Sequence, residues 1–359
     1  MPDDGGDRWC NVSLTKKIQN IHAMDTITHS VLGACLGEVI AGRKLGKKAM
    51  LIGAIANNIP DIDVGASLWM NHADMLLAHR GFTHSILFAL VCTPLLAWLS
   101  MGLSRKKTLS FNQWMLMFGS GLFIHIFIDA FTVYGTGWFE PFSHYRVTFN
   151  TLFIIDPLFT LPVLVTAIAL LVMGKNSPRR LAVAKTGIAI TSLYLAVSIF
   201  IKLNVNNKVE QSLSVQKISC ESYMATPTPL NDLLWNIIVR NDGDYYTGYY
   251  SVFDKKFPIS LNHVHRSDSL VRKIGDSKEL DKLIRFSKGY YFFTAHHDTI
   301  SINDMRFGQI SGWYKNDAPY VFSYNLQKGA DNSVVLQRGR LEGNSKEAFS
   351  KLIERIKGN

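Results

Sequence analysis

The chain reads His79-Arg80-Gly81-Phe82-Thr83-His84-Ser85 directly before a long apolar run, and Asn58-Ile59-Pro60-Asp61-Ile62-Asp63 shortly before that motif. Both stretches place ionisable side chains at the edge of strongly apolar sequence. Such groups are costly at the edge of a hydrophobic layer unless something compensates their lost hydration. A divalent metal ion is a common compensation for a mixture of Asp and His. The sequence therefore predicts a metal site in a membrane-associated fold.

The apolar residues are unevenly distributed along the 359 residues, of which 47% are hydrophobic and 18% charged. Nearly all long apolar runs precede residue 205, and the remainder has the composition of a soluble domain. We therefore predict an α-helical multi-pass membrane domain followed by a small α+β soluble domain. The predicted domains are 24–204 and 205–359. Residues 1–23 are polar, lack the apolar core of a signal peptide, and are predicted to be a disordered extension.

The net charge of +10 does not arise from one basic patch. Basic residues form short clusters between apolar runs, at 43–48, 105–107 and 175–180. Such clusters are typical of cytoplasmic loops in membrane proteins. The charge therefore favours membrane topology and membrane lipids as partners, and argues against nucleic acid. The four cysteines show no paired spacing, so no disulfide framework is predicted.

The apolar runs differ in length. Residues 31–42 and 49–60 are each too short to cross a bilayer, so we predict a re-entrant or tilted helical hairpin. Runs at 85–101, 114–133, 153–173 and 186–201 are long enough to be predicted as spans. The alternative, buried core helices of a soluble protein, fits poorly with four runs separated by basic loops.

The basic clusters also predict orientation. If they are cytoplasmic, the ionisable groups of both motifs lie at the opposite face, and the C-terminal domain follows on that same extracytoplasmic side. This count uses no chemistry of the ionisable groups themselves. It predicts one shared outer face for His29, Asp61, Asp63, His79, His84, His125 and Asp129.

The spacing of these residues indicates how they converge. Asp25 and His29 are four residues apart, which places them on one helix face, and His125 and Asp129 repeat this spacing. Asp61 and Asp63 alternate in an extended turn. His79 and His84 are five apart around Gly81, which favours a loop leading into a helix, with Thr83 or Ser85 near its N-cap.

Roles follow from these positions. The predicted metal ligands are His29, Asp61, His79, His84, His125 and Asp129. Asp63 is predicted as a further ligand or catalytic orienting group, Asp25 as an orienting group or general base, and Arg80 as a clamp for an anionic substrate. The alternatives are interfacial histidines, Asp residues that cap helices, and an Arg that anchors lipid headgroups. His144, Glu140 and Asp156 are weaker candidates, and Asp156-Pro157 is better explained as a helix start.

The donor set of carboxylate and imidazole without thiolate suits zinc best, with manganese or iron as alternatives. The candidates exceed one tetrahedral shell, so either two ions are bound or some groups orient the ligands of one.

The remaining sequence predicts the soluble domain. Residues 235–240 and 245–250 flank an Asp-Gly turn and predict a β-hairpin. Further strands are predicted at 290–294, 304–308 and 320–326, and helices at 280–286 and 346–356. His263 with His265, and His296-His297-Asp298, are candidates for a second metal site, although surface histidines are the commoner explanation.

The ordered motifs resemble a known family. Met24-Asp25-Thr26-Ile27-Thr28-His29, Pro60-Asp61-Ile62-Asp63, the His79–Ser85 motif, and His125 with Asp129 are similar to the YdjM-type (DUF457) predicted inner-membrane metal-dependent hydrolases. The resemblance runs from Met24 to at least Asp156, and the tail around Asp304-Met305-Arg306-Phe307-Gly308 is similar to longer members. It implies a bacterial multi-pass inner-membrane protein with a metal centre. It does not imply a substrate.

The sequence thus predicts a membrane-bound metal-dependent hydrolase with its site at the extracytoplasmic face. An amphiphilic substrate, such as a phosphoester or lipid-linked ester, suits that location. The alternatives are a metal-binding transport or stress-response protein without turnover, and a structural module whose outer domain binds a partner.

Overall fold

The computed structural model describes residues 7–104, 108–271, 278–296, 299–315, 317–326 and 345–358, with side chains described from Thr26 onward except at 72, 296 and 345. The chain forms two compact units. The first comprises Met1–Pro60, Ile86–Ile128 and Ile154–Tyr194. The second comprises Asp61–Ser85, Asp129–Phe153 and Leu195–Asn359. The basic cluster predicted at 105–107 lies outside the described residues.

Apolar helices build the first unit. Its helices are α1 (Asp7–Leu45), α2 (Lys47–Asn58), α4 (Ile86–Leu103), α5 (Phe111–Asp129), α6 (Pro157–Val172) and the first part of α7 (Arg180–Gln216). The short α3 (His72–Ala78) belongs to the second unit. The predicted disorder of residues 1–23 stays a prediction.

The first two helices form the predicted helical hairpin. Three glycines let their backbones approach closely: a Cβ atom on Gly33 would lie 2.4 Å from the carbonyl oxygen of Gly53, and one on Gly37 would lie 2.1 Å from that of Ala49. The pairing of early with late positions shows that α1 and α2 run antiparallel. Small residues of this kind are the usual means of close helix packing where apolar side chains also face lipid.

Three helices in the described part of the chain are long and apolar enough to cross a membrane: α4, α5 and α7. In α4 and α7 only 17% of the most apolar window is buried, so their apolar side chains remain largely uncovered. Such uncovered surface is expected where lipid is the solvent. The run predicted as a span at 153–173 contains the 16-residue helix α6, which is shorter than a typical span.

A buried ion pair stabilises the first unit. Arg180, at the start of α7, donates from Nε and Nη2 to the two carboxylate oxygens of Glu38 at 2.8 and 2.7 Å. Its Nη1 donates to the carbonyl oxygens of Leu170 and Met173 at 2.6 and 3.0 Å. Because this guanidinium also satisfies the exposed carbonyls at the end of α6, it joins three helices.

The second half of α7 contributes to the core of the C-terminal domain. The helix runs through residue 204, where the sequence predicts the domain boundary, and ends at Gln216. Val205, Val209 and Leu213 pack with the buried Trp235 and Ile237. The apolar side chains of this part of α7 therefore cover one face of the sheet.

Two antiparallel sheets form the C-terminal domain. The first has the order β1-β2-β3-β4, with β1 (Ser222–Pro227), β2 (Leu234–Asn241), β3 (Asp244–Ser251) and β4 (Asn262–Val264). The second has the order β5-β6-β7, with β5 (Tyr291–His296), β6 (Thr299–Gln309) and β7 (Tyr320–Leu326). Helix α8 spans Lys278–Phe286 and α9 spans Ser345–Ile356.

The predicted β-hairpin is confirmed as β2 and β3. Asn241 pairs with Asp244 across the turn, and both Asp242 and Gly243 have positive φ angles, of 47° and 83°. This is the backbone that a two-residue hairpin turn requires, and Asp-Gly adopts it readily. The other predicted strands and helices also form, whereas β1 and β4 were not predicted.

Candidate metal centre

The Asp63 carboxylate connects the two polar motifs in the second unit. Its Oδ1 lies 3.1 Å from Nδ1 of His79, and its Oδ2 accepts from the backbone N–H of Arg80 at 2.9 Å and from the Thr83 hydroxyl at 3.0 Å. Donation from Nδ1 of His79 places the acceptor lone pair of the neutral ring on Nε2. A carboxylate that orients an imidazole in this way is the usual partner of a metal-binding histidine.

Local backbone geometry explains why these residues meet. Pro60 begins a 3₁₀ segment, Pro60–Leu68, that carries Asp61 and Asp63. Helix α3 ends before His79, and Arg80 adopts a positive φ of 56°, so the chain turns sharply at the motif. A second 3₁₀ segment, Phe82–His84, then leads into α4. The predicted loop between His79 and His84 is therefore present.

His84 lies among three carboxylates and is fully buried. Its Nε2 is 3.5 Å from Oδ1 of Asp61 and 3.3 Å from Oδ2 of Asp129, and its Nδ1 is 3.4 Å from Oδ2 of Asp63. Both ring nitrogens thus face anionic oxygens. The structure brings the Asp61, Asp63, His84 and Asp129 side chains together, as the motifs indicate.

Arg80 is directed into the protein. Its Nη2 lies 3.2 Å from Oδ1 of Asp129, and its Nη1 donates to the Thr132 hydroxyl at 2.6 Å. The guanidinium also lies over the Tyr134 ring, at 5.4 Å from the centroid. These contacts orient Asp129, and the role of Arg80 as a substrate clamp stays a prediction.

The electrostatics of this cluster favour a bound cation or bound protons. Burial opposes ionisation of Asp63, but hydrogen bonds and charge from His79 and His84 hold its pKa well below the usual range. Burial likewise disfavours the charged form of His84, but hydrogen bonds to Asp129, Asp61 and Asp63 hold its pKa well above the usual range. With both imidazoles neutral, three carboxylates face one guanidinium and leave two negative charges uncompensated. Protons on both imidazoles or one divalent cation would compensate these charges.

The donor atoms also fit a metal ion. Asp61, Asp63 and His79 each offer one ligand atom, and these atoms lie within 4.8 Å of one another. The side chain of Asp61 retains 18% exposure, against 6% for Asp63. Two carboxylates and an imidazole at this separation match the preferences of zinc, manganese or iron.

A cavity of about 420 Å³ adjoins the cluster. Asp63, Thr83 and Glu140 are its polar lining residues. Its apolar lining is formed by Ile62, Ala66, Trp69, Leu77, Ala78 and Phe82. Ile62 and Trp69 are largely exposed, at 69% and 73%. A cavity with one polar wall and apolar surroundings suits an amphiphilic molecule.

His29 and His125 form a separate arrangement within the first unit. Their rings stack, with centroids 3.8 Å apart. Nδ1 of His125 lies 2.5 Å from the carbonyl oxygen of Asn57, and the Asn57 side chain donates to the carbonyl oxygen of His29 at 2.6 Å. The carbonyl acceptor requires a proton on Nδ1 of His125, which leaves Nε2 as the acceptor of the neutral ring. Their predicted roles as ligands stay predictions.

The other candidates are placed as follows. Asp25 lies in α1, and its side chain is outside the described part. His144 forms an exposed ion pair with Glu140 at 2.8 Å. Asp156 caps α6 by accepting from the N–H groups of Leu158 and Phe159, with Pro157 as the first helical residue. The predicted helix start at Asp156-Pro157 is therefore confirmed.

A second group with metal-binding potential lies on the first sheet. His265 Nδ1 and His263 Nε2 lie 2.7 and 3.1 Å from Oδ2 of Asp244. The two histidines alternate around Val264 and Asp244 lies on the neighbouring strand, so the three side chains share one face. Asp244 was not identified from the sequence. His297 and Asp298 lie outside the described residues.

Sequence reasoning missed residues that support the His79 motif. Arg146 donates from Nη2 to the carbonyl oxygens of Leu77 and His79, at 2.5 and 2.9 Å. The Tyr134 hydroxyl donates to the carbonyl oxygen of Leu76 at 3.0 Å. Arg146 is a buried cation with no motif around it, and its partners are backbone atoms. No local pattern identifies such a residue.

Comparison with known proteins assigns the family. The family model described as "YdjM inner membrane protein" matches residues 24–205, which include both motifs and all of helices α2 to α6. The chain belongs to the YdjM family of inner membrane proteins. The YdjM family match confirms the resemblance that the ordered motifs indicated, and it begins at Met24, where the motifs begin.

Relatives of this YdjM family chain carry little functional information. The chain is similar to the uncharacterized protein YfhP of Bacillus subtilis (strain 168), with 30% identity over 63% of this chain and 68% of YfhP. It is also similar to the inner membrane protein YbcI of Escherichia coli (strain K12), with 31% identity over 33% of this chain and 69% of YbcI. No solved structure matches the chain.

Proposed function

We propose that this YdjM family protein is a membrane-embedded, metal-dependent hydrolase that acts on amphiphilic phosphoesters or lipid-linked esters. The observation that supports this proposal is the convergence of Asp61, Asp63 and His79 beside a cavity with mostly apolar walls. Surplus carboxylate charge next to a cavity is the arrangement that a hydrolytic metal centre needs. The proposal assigns zinc as the first candidate, with manganese or iron as alternatives, and one or two ions.

Each residue of the cluster has a role in this proposal. Asp61, His79 and His84 would hold the metal, and a bound divalent ion would supply Lewis-acid chemistry that activates water and stabilises negative charge on an ester oxygen. Asp63 fixes the ring of His79 through Nδ1. Arg80 fixes Asp129. Asp25, His29 and His125 are further participants, as base or ligands.

The cavity defines the substrate class in this proposal. Trp69, Ile62 and Phe82 provide exposed apolar surface beside Asp63, and Leu68 is 84% exposed on the same 3₁₀ segment. Large apolar side chains that remain uncovered on one segment commonly lie at a membrane or bind apolar ligands. An acyl chain along these side chains would place its polar head at Asp63.

The proposed location is the extracytoplasmic face of the bacterial inner membrane, in a multi-pass protein. The cluster and the C-terminal domain belong to one unit, and Lys282 of α8 contacts Asp74 of α3 at 2.7 Å. These two observations support placing the cluster and the C-terminal domain on the same side of the membrane. The basic clusters of the sequence favour the outer side for both. Membrane lipids are the proposed partners, without nucleic acid.

Burial of part of the cluster favours a second candidate function. His84 and Asp129 are almost completely buried and Arg80 retains 2% exposure. A buried cluster of this kind is also suited to a metal that holds the chain together without turnover, as in a metal-binding transport or stress-response protein. Both candidate functions include a bound metal, but only the first includes a catalysed reaction.

The test begins with the metal. Full-length protein purified in detergent with zinc or manganese supplied is analysed for elements, as wild type, Asp61→Ala and His79→Ala. A His263→Ala/His265→Ala variant is the control, because it removes the exposed group on the first sheet. The centre is supported if wild type holds about one or two equivalents of metal that Asp61→Ala and His79→Ala lose. The control should keep this metal and lose only metal bound at the exposed site. Wild type without metal refutes the proposal.

The reaction is tested next on the metal-loaded protein. Phosphate or fatty-acid release from a panel of lipid phosphoesters and lipid-linked esters is followed for wild type and Asp61→Ala. Turnover by wild type that the variant loses establishes the hydrolase. A stoichiometric metal without turnover on any substrate of the panel favours the non-catalytic function.

A further inference from the structure

A basic cavity lies in the second unit, and it shares one lining residue, Leu77, with the Asp63 cavity. Its volume is about 240 Å³. The lining residues are Leu77, His144, Tyr145, Arg146, Arg285 and Lys288. Among these described residues three are cations and none is a carboxylate. The nearby Glu140 carboxylate is paired with His144 at 2.8 Å, which leaves the cations of the cavity in excess.

Arg146 lines this cavity and carries one unsatisfied donor. The residue is 91% buried (9% exposed), and its Nη2 is bound to two backbone carbonyl oxygens. Its Nη1 has no hydrogen-bond partner in the part of the chain that the structure describes. A buried charged donor without an acceptor is costly, so native proteins rarely leave one without a ligand, ion or water.

Lys288 lies against Arg146 in the same cavity. Its Nζ donates to the carbonyl oxygen of Arg146 at 2.8 Å and lies 5.9 Å from the centroid of the Tyr145 ring. Burial, and then repulsion from Arg306 and Arg146, lowers the pKa of Lys288 to about 7. An anion in the cavity would offset this repulsion.

We infer that this cavity binds a phosphate group, held by Arg146, Arg285 and Lys288. A phosphate offers several strong acceptor oxygens and up to two negative charges. It therefore matches three cations better than a ligand with a single carboxylate would. Guanidinium groups bind such oxygens in pairs through parallel N–H donors, and an ammonium group adds a point charge. The phosphate comes either from solution or from a lipid headgroup, and the chemistry of recognition is the same for both.

The inference goes beyond the proposed hydrolase, because binding requires neither metal nor turnover. It assigns a role to the C-terminal domain, which supplies Arg285 from α8 and Lys288 after it. Arg146 also holds the carbonyl of His79, so the pocket and the metal cluster share a supporting residue. Occupancy of the pocket therefore stabilises the loop that presents His79.

The test compares two exposed lysine or arginine positions on one helix. Full-length protein in a zwitterionic detergent at low ionic strength is titrated with inorganic phosphate by calorimetry. We expect saturable binding that Arg285→Gln weakens about tenfold, which is about 1.4 kcal/mol. Lys278→Gln removes the same charge from α8 outside the cavity and leaves binding unchanged. If phosphate binds at the metal cluster instead, the two substitutions will change its affinity equally or not at all, and that result overturns the inference.

A second measurement separates the two sources. Native mass spectrometry of the protein from nanodiscs of phosphatidylglycerol counts retained lipids in wild type, Arg285→Gln and Lys278→Gln. Retention lost only in Arg285→Gln identifies the headgroup as a source, whereas calorimetric binding with no retained lipid identifies free phosphate. Equal behaviour of all three proteins in both measurements, or binding in neither, overturns the inference. Metal content is expected to be unchanged in Arg285→Gln, so failure of the pocket is distinguishable from failure of the hydrolase.

Discussion

Oδ1 of Asp63 lies 3.1 Å from Nδ1 of His79, although the two residues are separated by 15 others in the sequence. The other oxygen of Asp63 binds the backbone N–H of the next residue, Arg80. One carboxylate thus fixes both the ring orientation of His79 and the turn that follows it.

Replacement of Asp63 by Asn is therefore expected to weaken metal binding about 10- to 100-fold, because the amide no longer orients His79 as an ionised acceptor. The measurement is a competitive metal titration in a His263→Ala/His265→Ala background. Asp74→Asn is the control, since Asp74 is an exposed carboxylate on α3 whose partner is Lys282. Equal affinities in the two variants would show that Asp63 does not support the site.

Replacement of Gly53 by Ala is expected to destabilise the first unit. The added Cβ would lie 2.1 Å from the carbonyl oxygen of Gly33, so α1 and α2 must separate, and overpacking of this kind costs about 1–3 kcal/mol. Thermal unfolding in detergent measures the loss. Gly102→Ala is the matched control, because a Cβ on Gly102 near the end of α4 meets nothing within 4 Å. A midpoint for Gly53→Ala equal to that of the control contradicts the close packing.

Replacement of Glu38 by Leu is expected to cost about 3–5 kcal/mol, because it leaves Arg180 buried without its counter-charge. The same unfolding assay applies, together with the Glu38→Leu/Arg180→Met double variant. The double variant removes both charges, so it should recover a large part of the lost stability. If the double variant is no more stable than Glu38→Leu, packing rather than charge determines the effect.

The pH dependence of stability is expected to reveal Lys288. Its pKa is about 7 in the folded protein and about 10.4 in an unfolded chain, so the unfolded chain binds more protons between these values. The free energy of unfolding attributable to Lys288 therefore rises with pH between about 7 and about 10. Burial and the positive charges of Arg306 and Arg146 lower the pKa of Lys288, and the negative charge of Asp304 raises it.

The measurement is thermal unfolding of wild type, Lys288→Gln and Lys278→Gln across that pH range in a phosphate-free buffer. Lys288→Gln should be more stable than wild type near neutral pH and should lose the rise with pH, because its neutral side chain has no proton to release. Lys278→Gln should follow the wild-type profile. If the stability of both variants follows the wild-type dependence on pH, Lys288 is solvated and its pKa is not lowered.

The sequence by itself determined the elements whose signals are local. Asp242-Gly243 specifies a hairpin because both positions tolerate positive φ, and Asp156-Pro157 specifies a helix start because the carboxylate caps and the ring fits the first turn. The short apolar arms around Gly46 likewise specify a helical hairpin. The order of the polar motifs was sufficient to identify the family, since it depends on residue type and spacing alone.

Only the tertiary structure decided which of those polar groups meet and what holds them. Lys288 donates to Arg146 across 142 residues, and Arg146 in turn holds the carbonyl of His79, yet neither cation belongs to a motif. The continuation of α7 into the core of the C-terminal domain was also not evident, because its apolar side chains change from uncovered to core-packed without a break in the helix. Local sequence encodes backbone preference and burial, whereas the pairing of distant charges depends on how the whole chain packs.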